Sequence, residues 1–313
     1  NAGHVATALS VAEADGLTSH GMSRLPAYSA QARSGKVDGR AVPVFTEGAK
    51  AVLRVNVNNG FAYAALTMSI NRLVTLAHDY GIASACFTNS HHCGALGYHV
   101  ERLAEQGMVG LMVANTPAAI APWGGARAVF GTNPIALAAP RGGGTPLVID
   151  LSLSIAARGK IMVAAQKGEA IPEGWALDAA GKPTTDAAAA LKGTMLPMGD
   201  AKGSVLAMMV EIIAAAMTGA NFGFEASSFF DAEGTPPRVG QMLIAFDPAA
   251  TNDVFTGNML SPRLETLISA IKTQPNTHIP GDRRANKRRE ARLNGVEIPG
   301  ELHRELLILA GGA

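Results

Sequence analysis

Residues 81–115, GIASACFTNSHHCGALGYHVERLAEQGMVGLMVAN, carry the pattern that sets the fold class of this chain. GIASACFT (81–88) is short and apolar, as a buried strand is, and it delivers the chain to Asn89-Ser90-His91-His92. Residues 97–106 are amphipathic at helical spacing and stop at Gly107, after which MVGLMVAN (108–115) reads as a second buried strand. Strand, helix and strand alternate, so the class is α/β.

The alternation extends in both directions. Upstream, residues 5–14 and 25–34 read as helices, the second stopped by Gly35 in the manner of a glycine cap, with a loop or turn at 17–24 between them. AVLRVNV (51–57) alternates like a strand and leads through the turn Asn58-Asn59-Gly60 into helical periodicity at 61–80. Downstream, Ile135–Ala139 and Leu147–Leu151 read as strands around a loop in which Gly142-Gly143-Gly144 makes a hairpin turn. Residues 156–167 read as helix, 171–198 as mostly loop, 203–218 as a buried helix, 241–246 as a strand and 299–310 as a last helix. This spacing lacks the regular units of a doubly wound sheet and leaves strand direction open.

A chain of 313 residues with 48% apolar and 16% charged residues builds a sizeable core, in one large domain or two modest ones. A net charge of +1 gives no general footprint for nucleic acid. Two cysteines, Cys86 and Cys93, make no disulfide framework and suit a reducing compartment. The longest apolar stretch, 205–217, is interrupted by Glu211 and is too short to cross a bilayer. The opening NAGHVATALSVAEADGLTSHG reads as a helix entered partway with no leader before it, and the expectation is a trimmed or disordered start and a cytoplasmic protein.

Four groups of residues carry chemistry. Ser19-His20 with Arg24 joins an imidazole that titrates near neutrality, a hydroxyl that can orient or relay its proton, and a guanidinium that can grip a carboxylate. The bland alternative is a helix-cap serine, a surface histidine and an exposed arginine. His91-His92-Cys93, with His99, invites a metal, but adjacent histidines diverge and no HExxH or CxxC accompanies them, so ligand contact or a structural role fits better. No GxGxxG follows a strand and no GxxxxGK[ST] occurs. A nicotinamide cofactor would therefore need another phosphate site, for which Gly131-Thr132-Asn133-Pro134, Asp150-Leu151-Ser152 and Lys202 are candidates. Finally, Arg283, Arg284, Lys287, Arg288, Arg289 and Arg292 read as a solvated face, a nucleic-acid patch or a pocket for one extra phosphate.

Seven segments in order resemble the malate/L-lactate dehydrogenase family that is unrelated to Rossmann-type enzymes: ADGLTSHGMSRLPAY, NGFAYAAL, SHHCGALGYH, GTNPIA, VIDLSLS, LPMGDAKG and IPGDRR. GANFGFE, GQMLIAFDP and the arginine-rich GDRR make the chain most similar to the Δ1-piperideine-2-carboxylate/Δ1-pyrroline-2-carboxylate reductase branch. The resemblance implies a non-Rossmann α/β fold with a largely antiparallel NADPH-binding domain over residues 96–261. A helical substrate and dimerisation domain would comprise 1–95 plus 262–313, and the protein would be a homodimer. It implies His20 as proton donor, Ser19 as its relay partner and Arg24 as the substrate-carboxylate residue. Cofactor contacts would come from His92, Cys93, Gly94, Ala95, Leu96, Thr132, Asp150, Leu151, Ser152 and Lys202. Gly281, Asp282, Arg283 and Arg284 would lie near its phosphates, and no metal is implied. Departures are DLSLS where relatives have DMATS or DLATS, Ala201 where some place an aromatic residue or histidine, and Thr18 where the reductases are expected to have histidine.

The expected reaction is NADPH-dependent reduction of a cyclic imino acid to L-pipecolate or L-proline, NADH being possible. The alternatives are an NAD(P)-linked 2-keto acid/2-hydroxy acid dehydrogenase and, more remotely, a nucleic-acid or anion-binding protein built on the basic tail.

Overall fold

In a computed structural model, which describes residues 1–252, 257 and 259–311, ten strands form two sheets. The strands are β1 (Val44–Glu47), β2 (Val52–Asn56), β3 (Ile82–Ser90), β4 (Val109–Ala114), β5 (Ile135–Ala139), β6 (Leu147–Leu151), β7 (Ala176–Leu177), β8 (Pro183–Thr184), β9 (Thr194–Met195) and β10 (Val239–Phe246). The helices are α1 (Ala2–Ala14), α2 (Leu25–Ser34), α3 (Ala62–Tyr80), α4 (Leu96–Ala104), α5 (Arg158–Lys167), α6 (Ala187–Lys192), α7 (Asp200–Glu211), α8 (Pro248–Thr251), α9 (Leu260–Lys272), α10 (Asp282–Asn294) and α11 (Gly300–Leu309).

The large sheet runs β1-β2-β3-β10-β4-β5-β6, and every pair in it is antiparallel except β2 with β3. Insertion of β10 between β3 and β4 is a long-range event that local pattern does not reveal. The sheet draws strands from both sides of the 95/96 boundary expected from the sequence. Alternation along β3 sends Ala83, Ala85 and Phe87 to one face, where Leu66, Ile70 and Leu73 of α3 and Val100 and Leu103 of α4 cover them. The opposite face, with Val113 and Met242, packs against Ala207, Val210 and Ala214 of the α7 region. The sheet is thus the middle of three layers.

Two expectations need correction. Residues 171–198 are more than loop: β7, β8, β9 and α6 form a small sheet and helix around Ile161, Ile171, Ala176 and Met195. Two-residue strands have no periodicity to read. The helix expected at 203–218 is α7 followed by a π-helical turn, Ile212–Ala216, and it is not buried all round. Val205, Met209 and Met217 are 58%, 50% and 65% exposed. Gly35, at φ 80°, does end α2. Among the described residues, no helix is long and apolar enough to cross a membrane.

Candidate active site

Between α1 and α2 the chain makes two short 3-10 turns, Thr18–His20 and Met22–Arg24. Gly21 separates them because its place is taken: a Cβ there would lie 2.1 Å from Glu13 Oε2, the atom that accepts the Met22 N–H at 2.7 Å. His20 and Arg24 therefore sit on separate short turns. Ser19 does not cap a helix; its Oγ lies 3.1 Å from His20 Nδ1. Arg24 Nε donates to the Ser19 carbonyl at 2.7 Å, which ties the arginine to the serine's backbone.

These turns line a cleft of about 370 Å³. The same cleft takes His92, Cys93, Gly94, Ala95 and Leu96 from the loop entering α4, Thr132 from the loop before β5, Asp150, Leu151 and Ser152 from the end of β6, and Arg284 from α10. Lys202, Gly281, Asp282 and Arg283 lie outside its lining. Lys202 and Arg283 are exposed, while Gly281 packs on the backbone of Val148.

The His20 ring stacks on His92 at 5.7 Å between centroids. His92 Nδ1 is hydrogen-bonded to the Tyr28 hydroxyl, which is 3.0 Å from that of Tyr63. Burial, reinforced by the positive charges of Arg24 and Arg284, lowers His20 to about 4 and leaves its imidazole neutral near pH 7. His91 is lowered to about 3, again mainly by burial; its Nδ1 accepts the His92 backbone N–H at 2.7 Å. His99 Nε2 donates to the Cys93 carbonyl at 2.8 Å, and burial pushes the Cys93 thiol up to about 12. The region thus spends His91 Nδ1, His92 Nδ1 and His99 Nε2 on internal hydrogen bonds. Among the described residues, no group of three or more His, Cys, Asp or Glu is placed to hold a metal ion.

Asp150 accepts the Gly97 N–H at 2.8 Å and Arg284 Nη2 at 3.3 Å, joining β6, the first turn of α4 and α10. Gly97 lets the pair approach closely, since a Cβ there would come within 2.2 Å of Arg284 Nη1 and push the guanidinium aside. That nitrogen is buried without a hydrogen-bond partner. Arg288 is spent on structure: it pairs with both Asp15 and Glu101 at 2.6–3.0 Å and clamps α10 onto α1 and α4.

Several contributors were not legible in sequence. Phe229 and Phe230 close one side of the cleft: Phe229 packs on His91 and His92, and the Arg24 guanidinium lies 5.0 Å from the Phe230 ring centre. Gln31 Nε2 holds the Phe229 carbonyl at 2.8 Å, and fully buried Lys36 pairs with Asp231. Glu211, visible in sequence as the one acid interrupting an apolar helix, accepts from Asn115, Gly131, Asn133 and Gly223 and braces the loop that carries Thr132. Tyr28 and Arg158 gave no separate signal.

The fold is that of one family. The malate/L-lactate dehydrogenase family model matches residues 1–307, and the chain belongs to that family; it is an oxidoreductase. It is 50% identical over 96% of its length, and 88% of the relative's, to a (2R)-3-sulfolactate dehydrogenase (NADP(+)) of Chromohalobacter salexigens. It is 40% identical to a Δ1-pyrroline-2-carboxylate/Δ1-piperideine-2-carboxylate reductase of Pseudomonas syringae pv. tomato, covering 96% of this chain and 87% of that one. The crystal structure of a Δ1-piperideine-2-carboxylate reductase from the same organism superposes with a TM-score of 0.90 at 39% identity, covering 96% of this chain and 90% of the other.

Proposed function

We propose that the protein transfers a hydride between NADPH and C2 of a small 2-oxo or 2-imino carboxylate. The observation that carries this reading is that Ser19, His20 and Arg24 face the same cleft as the Gly94–Leu96 loop, Asp150 and Arg284. The cofactor fits this wall. The buried, unpartnered Arg284 Nη1 sits beside the first turn of α4, a position suited to a phosphate oxygen. The NADP-linked relative supports NADPH as the carrier. A bound dihydronicotinamide would supply the hydride.

The chain's own groups do the rest. Arg24, its Nε committed to Ser19, presents its terminal nitrogens to the substrate carboxylate and so places C2. His20 in its cationic form donates the Nε2 proton to the substrate heteroatom, while Ser19 Oγ accepts from Nδ1 and fixes the ring. In the reverse direction, neutral His20 is the base.

Two substrate readings carry support. The reductase relatives favour a cyclic imino acid, reduced to L-pipecolate or L-proline. The 50%-identical relative favours an open-chain 2-hydroxy acid. The core test is His20→Ala: turnover falls about 10²–10⁴-fold while NADPH still quenches or shifts fluorescence on binding. Unchanged turnover would remove His20 from the reaction.

We further propose a cytoplasmic homodimer. The free thiols Cys86 and Cys93 suit a reducing compartment, and the exposed apolar residues Val205, Met209 and Ile212 suit self-association.

A further inference from the structure

Glu211 is the single acid in the apolar run 205–217, and it is only 5% exposed. A carboxylate at that depth is costly unless donors surround it. Its Oε1 accepts the Gly131 N–H at 3.4 Å and Asn133 Nδ2 at 3.0 Å. Its Oε2 accepts the Gly223 N–H at 3.2 Å and Asn115 Nδ2 at 3.1 Å. Burial raises the pKa of this acid, and the same donors pull it back.

The donors come from three places in the chain. Asn115 follows β4, Gly131 and Asn133 precede β5, and Gly223 lies between the π-helical turn and β10. The two glycines come close because they lack side chains. A Cβ on Gly131 would lie 2.3 Å from the Thr116 carbonyl oxygen, and one on Gly223 would lie 2.9 Å from the Gly131 nitrogen. Asn115 is fixed in orientation, since its Oδ1 accepts the Gly240 N–H at 2.9 Å. The same loops form a wall of the cleft. Thr116 and Thr132 both line it, and Thr116 Oγ1 accepts the Thr132 N–H at 2.9 Å. Glu211 itself stays outside the lining.

We propose that Glu211 is a positioning residue for the reaction: its ionised carboxylate ties the 115–118 and 131–133 loops together and so sets the Thr116–Thr132 wall against which NADPH lies. The inference rests on the hydride-transfer reading above and takes Thr132 as a cofactor contact. An amide cannot replace the acid. Each carboxylate oxygen meets a backbone N–H, Gly131 on one and Gly223 on the other, and a backbone donor cannot reverse its role. Glutamine offers one acceptor oxygen, so its NH2 would face an N–H whichever way it turned.

The test uses the full chain as wild type, Glu211→Gln, Glu211→Asp and Val210→Ala. Val210 is a buried apolar neighbour on α7, so its truncation weakens the packing and leaves the acid intact. Folding is checked by circular dichroism and NADPH Kd by nicotinamide fluorescence. Rates are measured with whichever of pyruvate, oxaloacetate and Δ1-pyrroline-2-carboxylate the wild type reduces. Glu211→Gln raises the NADPH Kd about 10-fold and lowers kcat about 10- to 100-fold, while substrate KM at saturating NADPH stays within about twofold. Glu211→Asp keeps two acceptor oxygens and recovers part of both losses. Val210→Ala lowers Tm but keeps Kd and kcat within about twofold of wild type. If Glu211→Gln does not fold, Glu211→Asp decides, since its NADPH Kd must rise above that of Val210→Ala. Three results overturn the proposal: glutamine that matches wild type, losses that Val210→Ala shares, or a loss confined to substrate KM. Failure of the underlying reading looks different. A wild type that binds no NADPH removes both claims, whereas one that binds NADPH and reduces none of the three compounds leaves the Kd comparison to decide the role of Glu211.

Discussion

Each pH unit above about 4 costs His20 roughly tenfold of its imidazolium form, because burial and two arginines oppose the charge. If His20 is the donor, kcat/KM for ketone reduction falls as pH rises beyond that point. Oxidation of the hydroxy acid, which needs neutral His20, rises to a plateau above it. A reduction profile flat from about pH 5 to 8 would show that the proton has another source, as it would for an imine that arrives already protonated. The arginines divide as sharply. Arg283 is exposed and outside the cleft lining, so Arg283→Ala leaves NADPH affinity within about twofold. Arg284→Ala removes both a cleft cation and the partner of Asp150, and NADPH binding weakens by about tenfold or more in fluorescence titration. Ser19, His20 and Arg24 could be grouped from sequence because they fall within six residues of chain. Tyr28 and Arg158 could not, since each becomes informative only through neighbours remote in sequence.

Among the elements, α7 shows how a pattern misleads. From residue 203 its sequence is almost wholly apolar up to Glu211 and reads as buried, yet only Gly203, Ser204, Ala207, Val210 and Glu211 turn inward. Val205, Met208, Met209 and Ile212 face outward. If that face joins two copies, Met209→Glu places a charge in the contact and shifts the species in light scattering from dimer to monomer. A monomeric wild type would refute the assembly. The opening of α4 makes the opposite point, because its key acceptor comes from another strand. Asp150→Ala strands the Gly97 N–H and leaves Arg284 only its longer pairing with Asp15, and urea titration should show about 1–3 kcal/mol of lost stability. Strands β3, β5 and β6 and helices α2 and α3 could be read within a residue or two from periodicity. The two-residue strands could not, having too few side chains to form a pattern.

The molecule as a whole holds four imidazoles neutral: His20 and His99 at about 4, His91 at about 3, and His92 well below its ordinary value. The unfolded chain protonates them near pH 6.5, so between pH 6.5 and about 4 it binds more protons than the fold. Stability therefore falls as pH drops through that window, by up to about 1.4 kcal/mol per pH unit for each imidazole. Thermal melts from pH 7.5 to 4.5 should show a steadily falling Tm, and a flat Tm would mean the ring environments are wetter than the structure indicates.

Local pattern was enough for the α/β class, most of the long elements, the absence of a glycine-rich phosphate loop and the ordered segments that mark the family. These depend on side chains a few residues apart, where period and turn chemistry act directly. Folding alone placed β10 between β3 and β4, turned an apolar helix face outward, and sent the basic run's Arg284 into a cleft and its Arg288 into a clamp. It also set Arg158 beside Ser19. Each of those outcomes depends on partners brought from distant parts of the chain, and burial and pairing, which decide the energy of a charge, exist only after they meet.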